Sequence, residues 1–376
     1  MNNYKQQLLE LLSQKDFLNK EKVTDLFRNK KIIIYGAGSG SVTFSVFVLK
    51  KYGLSAHVVL DKKYKEKDTY LDAPAYSPDT YVPTQEEKEN AIVVVTVGKK
   101  ELHDEIRKQL IDAGFKNIVM AHDIYEYHLL FEPNELNEKG FDYYLDNKQH
   151  ILDCFDILAD EESQKVYLAV VKTHLTRNID FIPSRPLQEQ YFSKDILHKG
   201  YKRFVNCGAY VGDTILQAYD LFGEAEAIAC FEPDLENFKL LSKNLDKKQI
   251  AKNIAVFPCG VFNDDVQLFF NANNKVNSSI STSGDSIIQC VTIDHAIPQF
   301  NPTFISMDIE GAELEALKGA VSIISEYKPE LAICVYHAPN HIWDIPLYLN
   351  NLRLGYKFYL RNYTSFISET VLYATV

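Results

Sequence analysis

Four stretches of this chain carry side chains able to do chemistry. Asp308 and Glu310 follow the apolar run 304–307 (FISM), and His337 follows a second run, 331–336 (LAICVY). Two carboxylates and an imidazole at neighbouring strand ends can take a proton from a hydroxyl. They would also suit a divalent ion, but no metal-binding motif is present and none is assigned. Residues 203–214 (RFVNCGAYVGDT) run from an apolar segment into a turn marked by Gly208 and Gly212, and a helix pattern opens at Asp213 and Thr214. Glycine lets a ligand approach the backbone, and a helix start offers unpaired N–H groups. Glu232 ends the apolar run 227–231, roughly twenty residues past the first glycine, where a carboxylate can hold a ribose diol.

These residues need a scaffold that brings strand ends together. Apolar runs at 204–207, 227–231, 254–260, 304–307 and 331–336 alternate with helical patterns, as in a parallel sheet covered by helices. Residues 264–291 insert two further strands around a polar loop at 277–281, read as an antiparallel flap. The chain closes on two strands, 356–363 and 369–375.

The segments GAYVGDT, CFEPDLENFKLL, ISMDIEGAELEALKGA, VYHAP and YLRNYTSFISETVLYAT, taken in order, resemble the FkbM family of methyltransferases. The resemblance runs from about residue 153 to the C-terminus. It implies a seven-stranded class I methyltransferase sheet of order 3-2-1-4-5-7-6, S-adenosylmethionine as cofactor and O-methyl transfer as the activity. The acceptor would be a sugar or nucleotide-linked sugar in polysaccharide or secondary-metabolite biosynthesis. On this reading Gly208, Ala209 and Gly212 approach the methionine part of the cofactor, and Asp213 and Thr214 stand at the helix start. Glu232 takes the ribose, Asp234 or Phe238 flanks the adenine, and Cys259-Gly260 borders it. Asn206 occupies a position that is usually aspartate in the family, where an amide can still accept a hydrogen bond.

Asp308 is expected to face the methyl group. Glu310 is read either as a base or as the cap of the following helix, and His337 as a base, a substrate contact, a metal ligand with Asp308, or a bond to a neighbouring loop. Glu313 and Glu315 are expected on the helix surface, with His341 facing solvent.

A second strand–glycine–helix corner precedes all this. Strand 31–35 leads into Gly36, Gly38, Ser39 and Gly40, and Asp61 ends the next strand. Ser41 stands where the dinucleotide fingerprint needs its third glycine. Strands and helices alternate over about ninety residues, and the segment resembles small Rossmann-like domains that precede transferases of sugar biosynthesis. The corner is read as a nucleotide or nucleotide-sugar site. The alternatives are a domain that pairs two copies or positions its neighbour, and a nicotinamide enzyme. Residues 68–84 are expected to be a loop. The fold expected is therefore α/β: a Rossmann-like parallel sheet in 1–124, a helical connector or lid in 125–200 that includes Arg177, Arg185 and Gln190-Tyr191-Phe192, and the methyltransferase domain in 201–376.

Composition excludes other classes. A net charge of −11 over 376 residues argues against nonspecific nucleic-acid binding. No apolar run approaches a membrane span and the N-terminus lacks a signal-peptide core, so no membrane insertion and a cytoplasmic location are expected. Six cysteines without C-x-x-C spacing read as free buried thiols. The partner expected is a small-molecule or glycan acceptor. A nonenzymatic binder with a decayed cofactor corner remains the competing reading.

Overall fold

The computed structural model describes residues 3–14, 25–50, 52–99, 102–121, 124, 142–176, 182–270, 280–281, 286–364 and 367–376. The chain forms two compact units: Leu9–Leu145 with Val170–Phe181, and Met1–Leu8 with Asp146–Ala169 and Ile182–Val376.

The first unit is built on six strands: β1 Ile32–Tyr35, β2 Val58–Leu60, β3 Asp68–Tyr70, β4 Ala73–Tyr76, β5 Ile92–Val95 and β6 Asn117–Met120. Their order is β3-β4-β2-β1-β5-β6, parallel except for the β3–β4 pair. Ile32–Ile34 and Ile92–Val95 are wholly buried, as continuous apolar strands covered on both faces must be. The hairpin β3–β4 corrects the loop expected over 68–84. Leu71 and Asp72 both take left-handed φ, 53° and 59°, the two-residue turn that joins antiparallel strands. Pro74 argued against a strand, yet it points outward from an alternating in–out segment near the sheet edge.

The second unit holds the larger sheet: β7 Arg203–Cys207, β8 Ala225–Phe231, β9 Ala251–Phe257, then, after the inserted strands β10 Gly260–Val261, β11 Val266–Phe270, β12 Ile280–Ser281 and β13 Ser286–Val291, β14 Phe304–Met307, β15 Glu330–Cys334, β16 Lys357–Asn362 and β17 Thr370–Thr375. The seven-stranded order is β16-β17-β15-β14-β7-β8-β9, with β17 antiparallel to both its neighbours. Counted from β7 and leaving out the insertion, this is the 3-2-1-4-5-7-6 order expected. The insertion pairs β11 with β13 and β12 antiparallel, as the flap reading requires; residues 271–279 of its loop lie outside the described part.

Ahead of this sheet run the helices Lys148–Ile157 and Glu161–Thr176, followed by a 3-10 turn at Leu187–Glu189; Arg177 lies outside the described residues. Arg185 packs within the fold through ion pairs. Its guanidinium pairs with Glu162 at 2.6 Å and Asp195 at 2.9 Å. Fully buried Arg361 on β16 joins the same network through Asp160 at 2.6 Å. The six cysteines are free and buried, and among the described residues no helix is long and apolar enough to cross a membrane.

Candidate active site at the strand tips

Parallel strands β7, β8, β14 and β15 all point their C-terminal ends to one edge, and the loops leaving them enclose a cavity of about 630 Å³. An open α/β sheet binds ligands at such an edge because the chain turns away in opposite directions on either side of the switch point.

At the β7 tip, Gly208 has φ 78°, and a Cβ there would lie 1.8 Å from the Asp308 carbonyl oxygen. Close approach of β7 to the β14 turn therefore demands glycine. Gly208→Ala is expected to lower stability by about 1–3 kcal/mol from the backbone strain alone and to weaken cofactor binding; an unchanged denaturation midpoint and affinity would refute this. Gly212, φ 88°, faces Leu241 and Leu245, and Ala209 is buried; both shape the corner from behind. Gly208, Asp213 and Thr214 border the cavity itself.

Asn206 is 3% exposed, donates its amide to Ser306 Oγ at 2.8 Å and also lines the cavity. Its side-chain carbonyl oxygen has no hydrogen-bond partner in the protein. Buried acceptors are rarely left so, which points to a ligand donor. At the β8 tip the Glu232 carboxylate accepts from the backbone N–H of Tyr210 at 2.8 Å and of Asp234 at 2.9 Å. Burial pushes it up to about 7 despite those bonds. Asp234 caps the helix Leu235–Leu245, accepting from Glu236 and Asn237 N–H, so it borders the cavity as a cap. Half-buried Phe238 is not among the lining residues, whereas Phe231 is, stacked on Phe257 at 4.7 Å. Gly260 lines the far wall; its neighbour Cys259 is buried beside it.

The β14 and β15 tips bring the remaining acids together. Tyr191 donates its hydroxyl to Asp308 Oδ2 at 2.8 Å, and Tyr336 reaches Oδ1 at 3.5 Å. His337 is 2% exposed; its Nε2 lies 3.3 Å from Asp308 and 3.6 Å from Glu310, and its Nδ1 lies 2.7 Å from Glu313. Burial alone would lower the imidazole, but Glu313, Asp308 and Glu310 together raise it to about 10. The Nδ1 contact to Glu313 is the bond to a neighbouring loop that the sequence offered among the readings of His337, and the raised pKa favours its protonated form. Asp308, Glu313 and His337 bring ligand-type atoms within 4.8 Å of one another.

Two expectations fail here. Glu313 is wholly buried and His341 is 4% exposed, 3.2 Å from it. Glu313 also accepts from the N–H groups of Ile309 and Gly311, so it ties the turn that was expected to be capped by Glu310. The reason is local: Glu310 at φ 56° and Gly311 at φ 104° turn the chain before the helix Glu313–Lys318 begins, swinging Glu313 inward. Glu310, so released, borders the cavity, and burial pushes it up to about 7.

Glu369, just before β17, was missed. It lines the cavity and accepts from Gln190 Nε2 at 2.5 Å; burial and the charge of Asp308 raise its pKa. Its only signal was its place in the closing segment SFISETVLYAT. Tyr191, Tyr210, Glu310 and Glu369 all carry left-handed φ and all line this cavity. Non-glycine strain of about 1–3 kcal/mol each is typically retained at functional sites.

In the first unit, the Gly36–Asp61 corner closes on itself. Asp61 accepts from Ala37 N–H at 2.7 Å and Lys63 N–H at 2.9 Å, and Lys63 Nζ donates to Ala37 O. A Cβ at Gly40 would lie 2.2 Å from Thr96 O, and one at Gly36 2.9 Å from Val97. Gly38 has open space, and Ser39 begins the helix Ser39–Phe44. Packing thus accounts for Gly36, Gly40 and Asp61 without a ligand.

A doubly wound sheet with a closing antiparallel hairpin, a glycine corner and an acidic cavity at its strand tips is the architecture of a group-transfer enzyme of the methyltransferase class. The family comparison makes this particular. Residues 206–358 match the model of the methyltransferase FkbM domain. The solved structure of methyltransferase FkbM from Methylobacillus flagellatus KT aligns over 99% of this chain and 98% of its own at 22% identity, with a TM-score of 0.78, and so shares the fold of the whole chain. A fibrillarin from Aeropyrum pernix, solved with natively bound S-adenosyl-L-methionine, aligns over 51% of this chain and 75% of its own at 10% identity and a TM-score of only 0.32. No curated protein matches the chain.

Proposed function

We propose that this methyltransferase uses S-adenosylmethionine to methylate a hydroxyl group of a sugar-like acceptor. The observation that carries the reading is the single cavity that joins buried Glu232 and the orphaned Asn206 carbonyl oxygen on one side to Asp308 and Glu310 on the other. The cofactor, when bound, supplies a methyl group on a positively charged sulfur that departs as a neutral thioether. The protein's groups fit such a cation. Asn206 Oδ1 accepts from the amino acid's ammonium, Glu232 accepts the two ribose hydroxyls, and Phe231 with Gly260 and Val261 makes the walls for the base.

With such a donor in place, the acceptor oxygen would take the methyl carbon as the carbon–sulfur bond opens, and its hydroxyl proton would have to leave to a residue of this chain. Asp308 is already engaged by Tyr191, Tyr336 and the His337 imidazolium. Among the described residues, Glu310 is paired only by the 3.6 Å contact to His337, and its carboxyl is poised near neutrality. Glu310 is therefore the base, and Asp308 with its phenols orients the acceptor. Holding both reactants in a dry cavity supplies much of the rate, up to about 7–11 kcal/mol in the best-oriented systems.

Calorimetric titration with S-adenosylhomocysteine tests the reading directly. Wild type should bind it, and Glu232→Gln should bind about 10–100-fold more weakly, the loss of a charged hydrogen bond. Absence of binding to wild type would overturn the cofactor assignment; equal binding by the variant would remove Glu232 from the site.

A further inference from the structure

We infer that Tyr191, carried on a clasped loop ahead of the large sheet, is the positioning residue for Asp308: its phenol fixes the carboxylate that presents the acceptor hydroxyl to the methyl donor. This rests on the methyl-transfer reading above.

The loop is 186–194. At its base the Arg185 guanidinium meets both carboxylate oxygens of Asp195, each at 2.9 Å, in the two-point geometry that makes such pairs strong. The same guanidinium holds Glu162 of the preceding helix at 2.6 Å, and Ser193 Oγ donates to Asp195 at 2.8 Å. Held in this way, the loop presents Leu187, Gln188, Gln190 and Tyr191 to the cavity. The Gln188 carbonyl accepts from Gln217 Nε2 at 2.8 Å, which ties the loop to the helix Asp213–Phe222 at the glycine corner. Phe192 packs edge-on against Tyr201 at 5.1 Å.

Tyr191 is fixed at three points. Its N–H donates to the hydroxyl of fully buried Tyr373 at 3.1 Å, its carbonyl accepts from the Tyr201 hydroxyl at 3.4 Å, and its own hydroxyl donates to Asp308 Oδ2 at 2.8 Å. The ring belongs to the apolar core, where phenylalanine would fill the same space; only the hydroxyl serves the carboxylate. Burial and the charge of Asp308 push the phenol well above its ordinary range, so it stays a donor. Asp308 keeps 32% of its side chain exposed, and its Oδ1 has only longer contacts, to His337 at 3.3 Å and Tyr336 at 3.5 Å. Tyr191 therefore makes the shortest bond to a group that must hold its plane while open to the cavity. Where rate comes from alignment, a misplacement of about 1 Å can cost on the order of 10²-fold. Tyr191 precedes the residues 206–358 that match the family model, so the connector brings this part of the site.

The test is release of S-adenosylhomocysteine from S-adenosylmethionine, with the methyl α-glycosides of D-glucose, D-galactose and D-mannose as acceptors, in Tyr191→Phe, Asp308→Asn and the double variant. Tyr191→Phe should lower kcat about 10–100-fold, the range of one hydrogen bond to a charged group. The KM for the glycoside and the affinity for S-adenosylhomocysteine should stay at wild-type values, as for an interaction made in the transition state. The double variant should be no slower than Asp308→Asn alone, because the phenol acts through that carboxylate. A wild-type rate in Tyr191→Phe, a loss that falls on KM alone, or losses that multiply in the double variant would overturn the inference. A wild type that binds S-adenosylhomocysteine but methylates none of the glycosides would count against the acceptor reading instead. The crystal structure of Tyr191→Phe with S-adenosylhomocysteine then decides: an Asp308 carboxylate turned from its wild-type place supports the positioning role, and one that keeps its place overturns it.

Discussion

Glu310→Gln is expected to lower kcat by roughly 10²–10⁴-fold, the usual contribution of a positioned base, without changing affinity for S-adenosylhomocysteine. The amide keeps the size of the carboxyl and cannot take the acceptor's proton. The pH profile provides the sharper test. Burial pushes the Glu310 carboxyl up to about 7, so below that pH it carries a proton and cannot act. Wild-type kcat should rise as pH increases through about 7, and the variant's residual rate should be flat across the same range. Glu232 titrates in the same region, but its protonation acts on cofactor affinity and would appear in binding rather than in kcat. A variant that turns over at the wild-type rate would return the role of base to Asp308.

Glu313→Ala should destabilise the fold by about 3–5 kcal/mol, because it strands a buried positive charge. The wholly buried carboxylate accepts from His337 Nδ1, from the Ile309 and Gly311 N–H groups, and lies 3.2 Å from His341. Burial would raise its pKa, but His337 and His341 hold it well below the usual carboxylate range. The histidine shifts the other way, from 6.5 up to about 10. A group whose folded pKa is raised stabilises fully below its unfolded value, and that contribution is lost as pH climbs through the folded one. Wild-type stability attributable to this pair should therefore be complete between about pH 4.5 and 6.5, fall below that range as Glu313 is protonated and decline towards pH 10, and the variant should lack both slopes. Denaturant unfolding at pH 6, 8 and 10 measures both effects; a loss under 1 kcal/mol would mean that the pair is solvated and not buried.

Both predictions concern the same seven residues, 307–313, and they show where reading the chain stopped. The strand that delivers Asp308 was visible because four apolar residues in a row need cover on both faces, and the glycines marked the corner it faces. The helix that follows was visible from its alternation of apolar and charged residues. What was misjudged was the turn between them. Helical periodicity assigns Glu313 to an outer face only if the helix begins without a twist, and Glu310 and Gly311 at left-handed φ rotate its start. His341 was misplaced for a related cause: its burial is set by Glu313, which lies 28 positions away and whose own orientation was wrong.

The hairpin β3–β4 was hidden because its proline outweighed its alternation, and sheet-edge position is not written in a local window. Tyr191 could be placed upstream of the anchor strand, but not within 2.8 Å of Asp308, a contact across 117 positions.

By itself, then, the sequence determined the two doubly wound sheets and the glycine corner, carried by runs within a few neighbouring residues, while the strand order of the second sheet was implied by the resemblance of its motifs to the FkbM family. Only the tertiary structure decided which acids face the cavity, that His337 is buried against Glu313, and that Glu369 returns from the end of the chain to line the same cavity. Those outcomes depend on backbone twists at single residues and on register between strands far apart in the chain, and neither leaves a periodic trace in the residues themselves.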